Sequence, residues 1–342
     1  MPDLIKFSRR SVMFMPLALA ACKGAARVFN LSGLTMGTTY NVVAIEPSGG
    51  AVEADVKTAI DAALAEVNQQ MSNWDPKSEI SRFNASASTE AVSITPALAH
   101  VMKAADSVHA ASDGRFDTTM GPLIELWGFG APGAQSMPND AEVAQTLASV
   151  GHNNTISVDG DMLQKKQTGA QVYLAAIGKG YGADRVGQAL EAFGITDYMV
   201  EIGGDIYASG RNPNGLPWQI GIETPATLNN AVFDVVGISG LGLASSGDYR
   251  NYFEKDGERY SHVIDPATGK PITHRTASAT VLAENGMLAD AWATAMLILG
   301  RERGLEVAAA HDVAVLFVER DTDAASLQFK SAASDAFKRL SA

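Results

Sequence analysis

The spacing of apolar and polar residues changes period several times along the chain. Arg27–Glu46 alternates with a period of two in two stretches, which predicts two short strands. Val52–Met71 carries apolar residues three or four positions apart, which predicts a helix. Pro96–Ala111 predicts a second helix with Thr95 as its N-cap, because Thr and Pro are favoured at the first positions of a helix.

Short strand patterns and helical patterns are mixed along the rest of the chain. A hairpin is predicted at Ile156–Gln167, and a buried strand at Val172–Ile177 leads into a helix that begins at Gly178. A further strand is predicted at 198–209, interrupted by Gly203-Gly204-Asp205. More strands are predicted at 217–224, 231–238, 249–254, 259–264, 276–283, 313–319 and 326–330, and helices at 124–127, 139–150, 286–299 and 301–310. Several neighbouring strands are joined by hairpins. The order therefore predicts an α+β fold with mixed, largely antiparallel sheets and flanking helices, and not a doubly wound fold.

Length and charge narrow the class of protein. A chain of 342 residues is long for a single core, which predicts one large domain or two closely joined subdomains. The net charge of −12 disfavours nucleic acid as a partner, because the phosphate backbone attracts basic surfaces. An acidic chain that handles phosphates needs a local cation, and a divalent metal ion is the simplest one.

Residues 1–22 have the pattern of an export signal. A basic segment precedes a short apolar run that is too short to span a membrane, and small residues precede Cys22, the single cysteine of the chain. Ser8–Met13 resembles a twin-arginine signal, and Leu19–Cys22 resembles a bacterial lipobox. The predicted mature domain is therefore 23–342, periplasmic and anchored to the inner membrane through a lipidated Cys22. A plain signal peptide with a chance cysteine is the alternative.

The segment Ser245–Pro271 is the richest in candidate chemistry. It combines a predicted Ser-Ser-Gly-Asp turn, a hairpin and His262, with Asp265 three residues further on. Hydroxyls and backbone N–H groups hold anions, and a histidine near neutrality can move a proton. His262 is therefore a candidate general base at a phosphate site, although a structural histidine at a strand end has the same local pattern.

Two further segments predict an ionic site. Asp290 and Thr294 are four residues apart in a helical stretch, so their oxygens lie on one face and suit Mg²⁺. A local hydrogen-bonded pair is the alternative. Gly178-Lys179-Gly180 opens a helix, where free N–H groups and a lysine favour an anion. Close packing of that helix on a strand would use the same glycines.

From Met36 to Gly300 the sequence resembles the bacterial ApbE-type FAD:protein FMN transferases. Ordered motifs at similar spacing carry the resemblance. They are Met36-Gly37-Thr38, Met71–Trp74 with Ser78–Asn84, Phe116-Asp117 with Gly121–Leu123, Trp127–Gly130, Gly178–Tyr181 with Asp184, Gly203–Asp205, Ser245–Arg250, Ser261–Pro266 with Thr268-Gly269, and Ala289–Ala291 with Thr294.

The resemblance implies an ApbE-like, T-fold-like architecture and a specific reaction. FAD is cleaved at its pyrophosphate, FMN is joined through its phosphate to a Thr or Ser hydroxyl of an acceptor protein, and AMP leaves. His262 matches the base for the acceptor hydroxyl. The metal positions, for Mg²⁺, are the backbone carbonyl of Ala176 and the side chains of Asp290 and Thr294. The flavin-contacting positions are Met36, Trp74, Arg115, Phe116, Asp117, Lys179 and Ile264. The acceptors of the family are flavin-bearing subunits of membrane electron-transfer complexes.

The chain departs from the family pattern at a few of these positions. Trp74 stands where Tyr is common, which still permits stacking on a ring. Tyr173 stands where an Asp is frequent. Ala293 stands between the two metal-binding side chains, where some members have another Asp, so a second carboxylate is expected to be missing from this helix.

Two other functions use nearly the same residues. In a Mg²⁺-dependent FAD pyrophosphatase, water would replace the acceptor hydroxyl, and AMP would form at a rate unaffected by acceptor. A lipoprotein that binds FAD or another solute without catalysis would release no AMP in the presence of Mg²⁺.

Overall fold

The structure is a computed structural model that describes residues 26–47, 49–130, 136–226, 231–321 and 328–341. The predicted export signal at 1–22, with Cys22, lies outside these residues and stays a prediction. Among the described residues, no helix combines the length and the apolar composition needed to span a bilayer.

The described elements alternate irregularly between strands and helices. The strands are β1 (Arg27–Thr35), β2 (Thr38–Glu46), β3 (Val92–Ser93), β4 (Ile156–Asp159), β5 (Met162–Lys165), β6 (Asp197–Ile202), β7 (Asp205–Ser209), β8 (Trp218–Glu223), β9 (Val232–Ile238), β10 (Leu241–Gly247), β11 (Tyr252–Lys255), β12 (Glu258–Ser261), β13 (Ile264–Asp265), β14 (Lys270–Pro271), β15 (Thr276–Ala283), β16 (Ala314–Asp321) and β17 (Gln328–Ala333). The helices are α1 (Glu53–Met71), α2 (Glu79–Ala85), α3 (Pro96–Ala111), α4 (Gly121–Leu126), α5 (Asp140–Leu147), α6 (His152–Thr155), α7 (Gly178–Glu191), α8 (Gly286–His311) and α9 (Asp335–Leu340).

An eight-stranded sheet forms the framework, in the order β1-β2-β6-β7-β10-β15-β16-β17. Each neighbouring pair in this sheet is antiparallel. The hairpin of β8 and β9 packs on one face, where Trp218 and Ile220 contact Leu243 and Leu316 of the sheet in one apolar cluster. The predicted α+β fold with largely antiparallel sheets is therefore confirmed.

Helix α8 covers the opposite face of the sheet. Ala289, Ala293 and Met296 belong to the same apolar cluster as Ala279 and Val281 of β15. The helix is broken at Gly300, where φ is 69°. This break separates the two stretches that the sequence predicts as helices at 286–299 and 301–310. Because α8 lies directly on β10 and β15, polar residues on its first turns stand next to the ends of those strands.

Two predicted features are wrong. Val172–Ile177 is not a strand: the N–H groups of Val172 and Leu174 bond to the side chains of Asn84 and Asn73, and that of Tyr173 bonds to the Thr118 carbonyl. Residues 175–177 form a turn that leads into α7. The alternating burial of residues 171–174 imitates a strand. The Ser-Ser-Gly-Asp segment is not a turn, because Ser245, Ser246 and Gly247 are the last residues of β10 in the central sheet.

Asp184 of α7 fixes the start of α8. Its two carboxylate oxygens accept hydrogen bonds from the N–H groups of Gly286 and Met287, at 2.7 and 2.9 Å. These are donors that have no partner inside the helix. Burial raises the pKa of Asp184 to about 6, although the two N–H groups act in the opposite direction.

This raised pKa predicts a pH-dependent stability. A carboxyl whose folded pKa exceeds its unfolded value contributes most below the unfolded pKa, near 3.8, and the contribution is lost as pH rises through about 6. Relative to Asp184→Asn, we expect the free energy of unfolding of the wild type to fall by on the order of 2 kcal/mol between pH 4 and 7, through the ionisation of Asp184. Urea unfolding of both proteins at several pH values measures the difference, and parallel curves would contradict the assignment.

Candidate active site

A cavity of about 570 Å³ lies where β10 extends beyond the end of β7. The first turns of α7 and α8, the loop before α4 and the segment after β12 surround it. The predicted site residues that line it are Arg115, Phe116, Asp117, Ala176, Lys179, His262, Ile264, Asp290 and Thr294. Positions far apart in sequence thus meet in one cavity, as the motif pattern predicts.

Met36 and Trp74 do not line this cavity. Met36 lies in the turn between β1 and β2 with φ of 49°, and its side chain packs against the apolar core, close to Gly182. Trp74 follows α1 and is 71% exposed. The role of these two residues as flavin contacts therefore stays a prediction.

Two glycines allow α7 and α8 to touch through their backbones. A Cβ atom on Gly180 would lie 2.0 Å from the carbonyl oxygen of Gly286, so no side chain fits there. This contact brings the Gly180 N–H to Oδ2 of Asp290, at 3.2 Å. Gly180 thus serves close packing of α7 on another helix, and not on a strand as the alternative had it. Anion binding at this helix N-terminus stays a prediction.

Lys179 joins two buried carboxylates at the bottom of the cavity. Its Nζ donates to Oδ2 of Asp205 and lies 3.8 Å from Oδ1 of Asp290. Burial and the charge of Asp290 together raise the pKa of Asp205 to about 7, although Lys179 acts in the opposite direction. Burial alone would lower the pKa of Lys179, but the charges of Asp290 and Asp205 raise it overall.

Asp205 is a site residue that the sequence reasoning did not assign. It is 4% exposed and supplies the second carboxylate that Ala293 of α8 does not provide. The signal in the sequence was the motif Gly203-Gly204-Asp205, which is one of the stretches that carry the family resemblance. Only the pairing of β6, β7 and β10 places it beside Asp290.

The oxygen donors in this corner fit a hard divalent cation such as Mg²⁺. Asp290 is buried, the Thr294 hydroxyl lies 3.2 Å from that of Ser246, and the Ala176 carbonyl precedes α7. Two carboxylates against one ammonium leave an excess of negative charge, and Mg²⁺ prefers oxygen ligands with few protein carboxylates. Among the residues described, no three His, Cys, Asp or Glu side chains gather into one group that could hold a metal ion.

His262 is held with one ring nitrogen fixed. Its backbone N–H donates to the carbonyl of Asn251, and its Nδ1 lies 3.0 Å from the same oxygen. A carbonyl only accepts, so Nδ1 carries the proton and Nε2 of the neutral ring carries the lone pair. Burial lowers the pKa of His262 below its usual value, with the Asn251 bond and the charge of Asp248 opposing the shift. The neutral imidazole is the form that a general base needs.

An aromatic stack supports the hairpin that carries His262. Trp127 packs on Tyr260, Tyr260 on Phe253, and Phe253 on Phe129, with ring centroids 5.2 to 6.0 Å apart. Phe129 then meets the edge of the His262 ring at 6.3 Å. These aromatic rings thus form one packed unit that positions the histidine.

Asp248 and Asp265, two acids of the segment that carries His262, already have partners. The Asp248 carboxylate accepts two bonds from Arg320, at 2.8 and 2.5 Å. Asp265 lies 3.3 Å from Nε of Arg115 and caps the following turn through the Ala267 N–H. Both carboxylates thus already serve structural contacts, whereas Nε2 of His262 faces the cavity without a partner among the described residues.

The loop at Arg115–Asp117 forms one wall of the cavity. Phe116 is 2% exposed, and its carbonyl lies 2.7 Å from Nδ1 of His109. The Asp117 carboxylate accepts bonds from the backbone N–H groups of Thr119 and His152, at 2.7 and 2.9 Å. Asp117 therefore stabilises the conformation of this loop through hydrogen bonds to its backbone and to that of His152.

A hydroxyl without a partner also faces the cavity. Ser278 of β15 is 3% exposed, lines the cavity, and has no hydrogen-bond partner among the described residues. Buried polar groups are nearly always paired, so a bound ligand is expected to satisfy it. No local pattern in the sequence points to this serine, because it lies inside the apolar strand β15.

Comparisons with known sequences identify the family. The sequence model described as ApbE family matches residues 36–317. The FAD:protein FMN transferase of Vibrio cholerae serotype O1 is 42% identical over 323 residues, which cover 94% of this chain and 95% of that protein. The FAD:protein FMN transferase of Haemophilus influenzae is 41% identical over 334 residues, with 95% of each chain covered.

Solved structures give the same result. The flavin transferase ApbE from Vibrio cholerae matches with a TM-score of 0.84 and 40% identity, over 92% of this chain and 99% of that one. The apo form of the Pseudomonas stutzeri flavinyl transferase ApbE matches with a TM-score of 0.83 and 36% identity, over 92% and 97%. By sequence and by structure, this chain belongs to the ApbE family.

Proposed function

We propose that this chain transfers FMN from FAD to a Thr or Ser hydroxyl of an acceptor protein and releases AMP. The observation that carries the proposal is the meeting of two groups in one cavity. His262 offers a free Nε2 there, and Asp290 with Thr294 offers an oxygen corner. The relatives named FAD:protein FMN transferase support the same reaction.

The residues can be assigned to a balanced reaction. The oxygen of the acceptor hydroxyl attacks the phosphorus of the FMN half of FAD, and its proton passes to Nε2 of His262. The bond between that phosphorus and the bridging oxygen breaks, and AMP leaves with the electron pair. No covalent enzyme intermediate is needed.

The charged corner holds the pyrophosphate. We propose that Asp290, Thr294 and the Ala176 carbonyl bind Mg²⁺, which when bound neutralises phosphate charge that repels the incoming oxygen. Lys179 lies beside Asp290 and adds a cation at the same corner. Asp205 fixes the Lys179 side chain through its carboxylate, so the ammonium keeps one position.

The remaining cavity fits the flavin. A volume of about 570 Å³ is typical of a small-molecule site. Phe116 and Ile264 supply apolar surface there, and Arg115 is held by Asp265 at the rim. Met36 and Trp74, outside the lining, would contact FAD only through parts of the ligand that extend beyond the cavity.

One assay distinguishes FMN transfer from the alternative, hydrolysis of FAD by a pyrophosphatase. FAD and Mg²⁺ are incubated with the protein, with and without candidate flavin-bearing subunits of membrane electron-transfer complexes, and AMP is measured. Transfer predicts that AMP release depends on the acceptor and that the acceptor keeps its flavin after denaturation. AMP release at the same rate without acceptor would favour hydrolysis, and tight FAD binding without AMP would favour a carrier.

We also propose that the protein works in the periplasm, attached to the inner membrane by a lipid on Cys22. The supporting pattern is the lipobox-like Leu19–Cys22 after a twin-arginine-like segment. We expect Cys22→Ala to move the protein from the membrane fraction to the soluble periplasm, and Arg9→Lys with Arg10→Lys to block export. Fractionation with mass spectrometry of the N-terminus measures both. An unmodified N-terminus and normal export of the double variant would contradict the two assignments.

A further inference from the structure

One strand of the central sheet has an unpaired edge inside the cavity. β10 pairs with β15 from Gly242 to Gly247, but it pairs with β7 only from Leu241 to Leu243. The stretch Ala244–Gly247 therefore has a neighbour on one side alone among the described strands. We call it the open edge of β10. Its residues Ser245, Ser246 and Gly247 line the cavity.

The ladder between β10 and β15 shows which backbone groups face the cavity. The Asp248 N–H donates to the Ala277 carbonyl at 3.1 Å, in register with the pairs further along the strands. Hydrogen-bonded pairs alternate along an antiparallel ladder, so even-numbered residues of β10 bond to β15. The N–H and C=O groups of Ser245 and Gly247 consequently point away from β15, toward the open side.

The surroundings of the open edge fit an extended peptide. Side chains along a strand alternate between its two faces. One face of the edge meets α8 through Ser246 and Thr294, and the other meets the apolar residues Ile206 and Ile220 of the cavity lining. Soluble proteins usually block exposed edges with charge, proline or a covering element, whereas Ala244–Gly247 contains neither charge nor proline.

His262 lies close to the end of this edge along the chain. After Gly247, the segment Asp248–Asn251 leads into the hairpin of β11 and β12, and the Asn251 carbonyl binds both the backbone and the ring of His262. A segment that continues the sheet at β10 would thus run toward the base. A hydroxyl on one of its residues could then reach Nε2.

We propose that the open edge of β10 binds an extended segment of the acceptor protein as an added strand and so presents its Thr or Ser hydroxyl to His262. The inference rests on the proposed function. Main-chain hydrogen bonds from Ser245 and Gly247 supply affinity, and the cavity faces select the side chains on either side of the hydroxyl. The recognition is of an extended backbone that carries a hydroxyl, with small or apolar neighbours.

Ser245→Pro tests the edge. Proline removes the N–H that faces the open side and leaves the ladder to β15 in place, because proline is tolerated where the N–H faces away from the sheet. We expect the KM for an acceptor subunit that the wild type labels to rise about tenfold, as for one or two lost hydrogen bonds. The Kd for FAD and the rate at saturating acceptor should stay at wild-type values.

The same sheet offers a matched control at its far edge. The Ser334 N–H donates to the Val315 carbonyl, so the N–H of Ser331 on β17 points outward by the same alternation. Ser331 is exposed, and Ser331→Pro should leave the KM for the acceptor unchanged. Ser245→Ala removes the side-chain hydroxyl but keeps the backbone N–H, so its KM for the acceptor should stay close to the wild-type value. A rise of KM as large as that in Ser245→Pro would overturn the edge assignment.

A second measurement uses the wild-type enzyme. A synthetic peptide of about ten residues around the labelled hydroxyl is N-methylated at one position at a time. We expect kcat/KM to fall about tenfold at alternate positions only, because every second N–H of an added strand faces β10. A fall in kcat/KM that does not alternate along the peptide would overturn the inference.

The possible outcomes distinguish a failure of the proposed FMN transfer from a failure of acceptor binding at the open edge of β10. If the wild type labels no acceptor, the proposed function fails and the inference fails with it. If labelling occurs but Ser245→Pro keeps the wild-type KM, only the inference fails. If Ser245→Pro weakens FAD binding in proportion to the rate, the edge binds FAD and not the acceptor.

Discussion

Asp290→Asn is expected to lower Mg²⁺-dependent turnover by more than about 100-fold, since loss of outer partners of a metal site alone costs about 10–100-fold. Asn keeps the shape of the side chain and an oxygen for the Gly180 N–H, so the contact between α7 and α8 remains. It removes the charge that would bind the cation. Lys179 stays paired with Asp205, so no buried ammonium loses its partner.

Two measurements check this expectation. Turnover is followed as Mg²⁺ is varied, and Mg²⁺ binding is followed by isothermal titration calorimetry without FAD. Glu302→Gln is the control, because Glu302 is an exposed acid on the same helix, 91% exposed at its side chain. Wild-type Mg²⁺ affinity in Asp290→Asn would remove Asp290 from the metal site. A lowered affinity in Glu302→Gln would show that only the overall charge matters.

His262→Ala is expected to slow FMN transfer by roughly 10²–10⁴-fold while FAD binding persists. The ring contributes a lone pair at Nε2, which the Asn251 carbonyl fixes by holding the proton on Nδ1. Loss of the ring removes the proton acceptor. It leaves the charged corner of Lys179 and Asp290 intact, so cofactor affinity should change little.

The pH profile gives a signature that a structural role would not produce. Burial lowers the pKa of His262, so its neutral form dominates at pH 7. The wild-type rate should fall as pH drops through a value below about 6.5, when the ring takes up a proton, and this limb should vanish in His262→Ala. His311→Gln, at an exposed histidine, is the control. A persisting acidic limb, or loss of FAD affinity in proportion to the rate, would contradict the assignment.

Local signals in the sequence predict most of the elements that build the site. Thr95 accepts the N-cap bond from Leu98, as the Thr-Pro pattern predicts. The period of two around β1 and β2, and the apolar stripe of α1, also correspond to observed elements. These signals are local because capping, turns and amphipathic faces depend on neighbours within a few residues.

What the sequence did not predict depends on distant partners. Val172–Ile177 has the burial pattern of a strand, but Asn73 and Asn84 take its backbone bonds. β10 was missed because Ser, Gly and Ala at its end are typical of turns, whereas β15 holds them in a ladder. Asp205 reaches the site only because β7 pairs with β10, and this pairing cannot be seen from local sequence. Tertiary pairing outweighed local propensity in each case.

The central claim is that FMN becomes covalently attached to an acceptor hydroxyl. Its most direct test is the intact mass of a flavin-bearing subunit after incubation with the protein, FAD and Mg²⁺, followed by denaturation and peptide mapping. We predict a mass increase of one FMN less one water, located on a single Thr or Ser, with one AMP formed per modified acceptor. AMP formed with FMN free in solution and an acceptor of unchanged mass would contradict the claim.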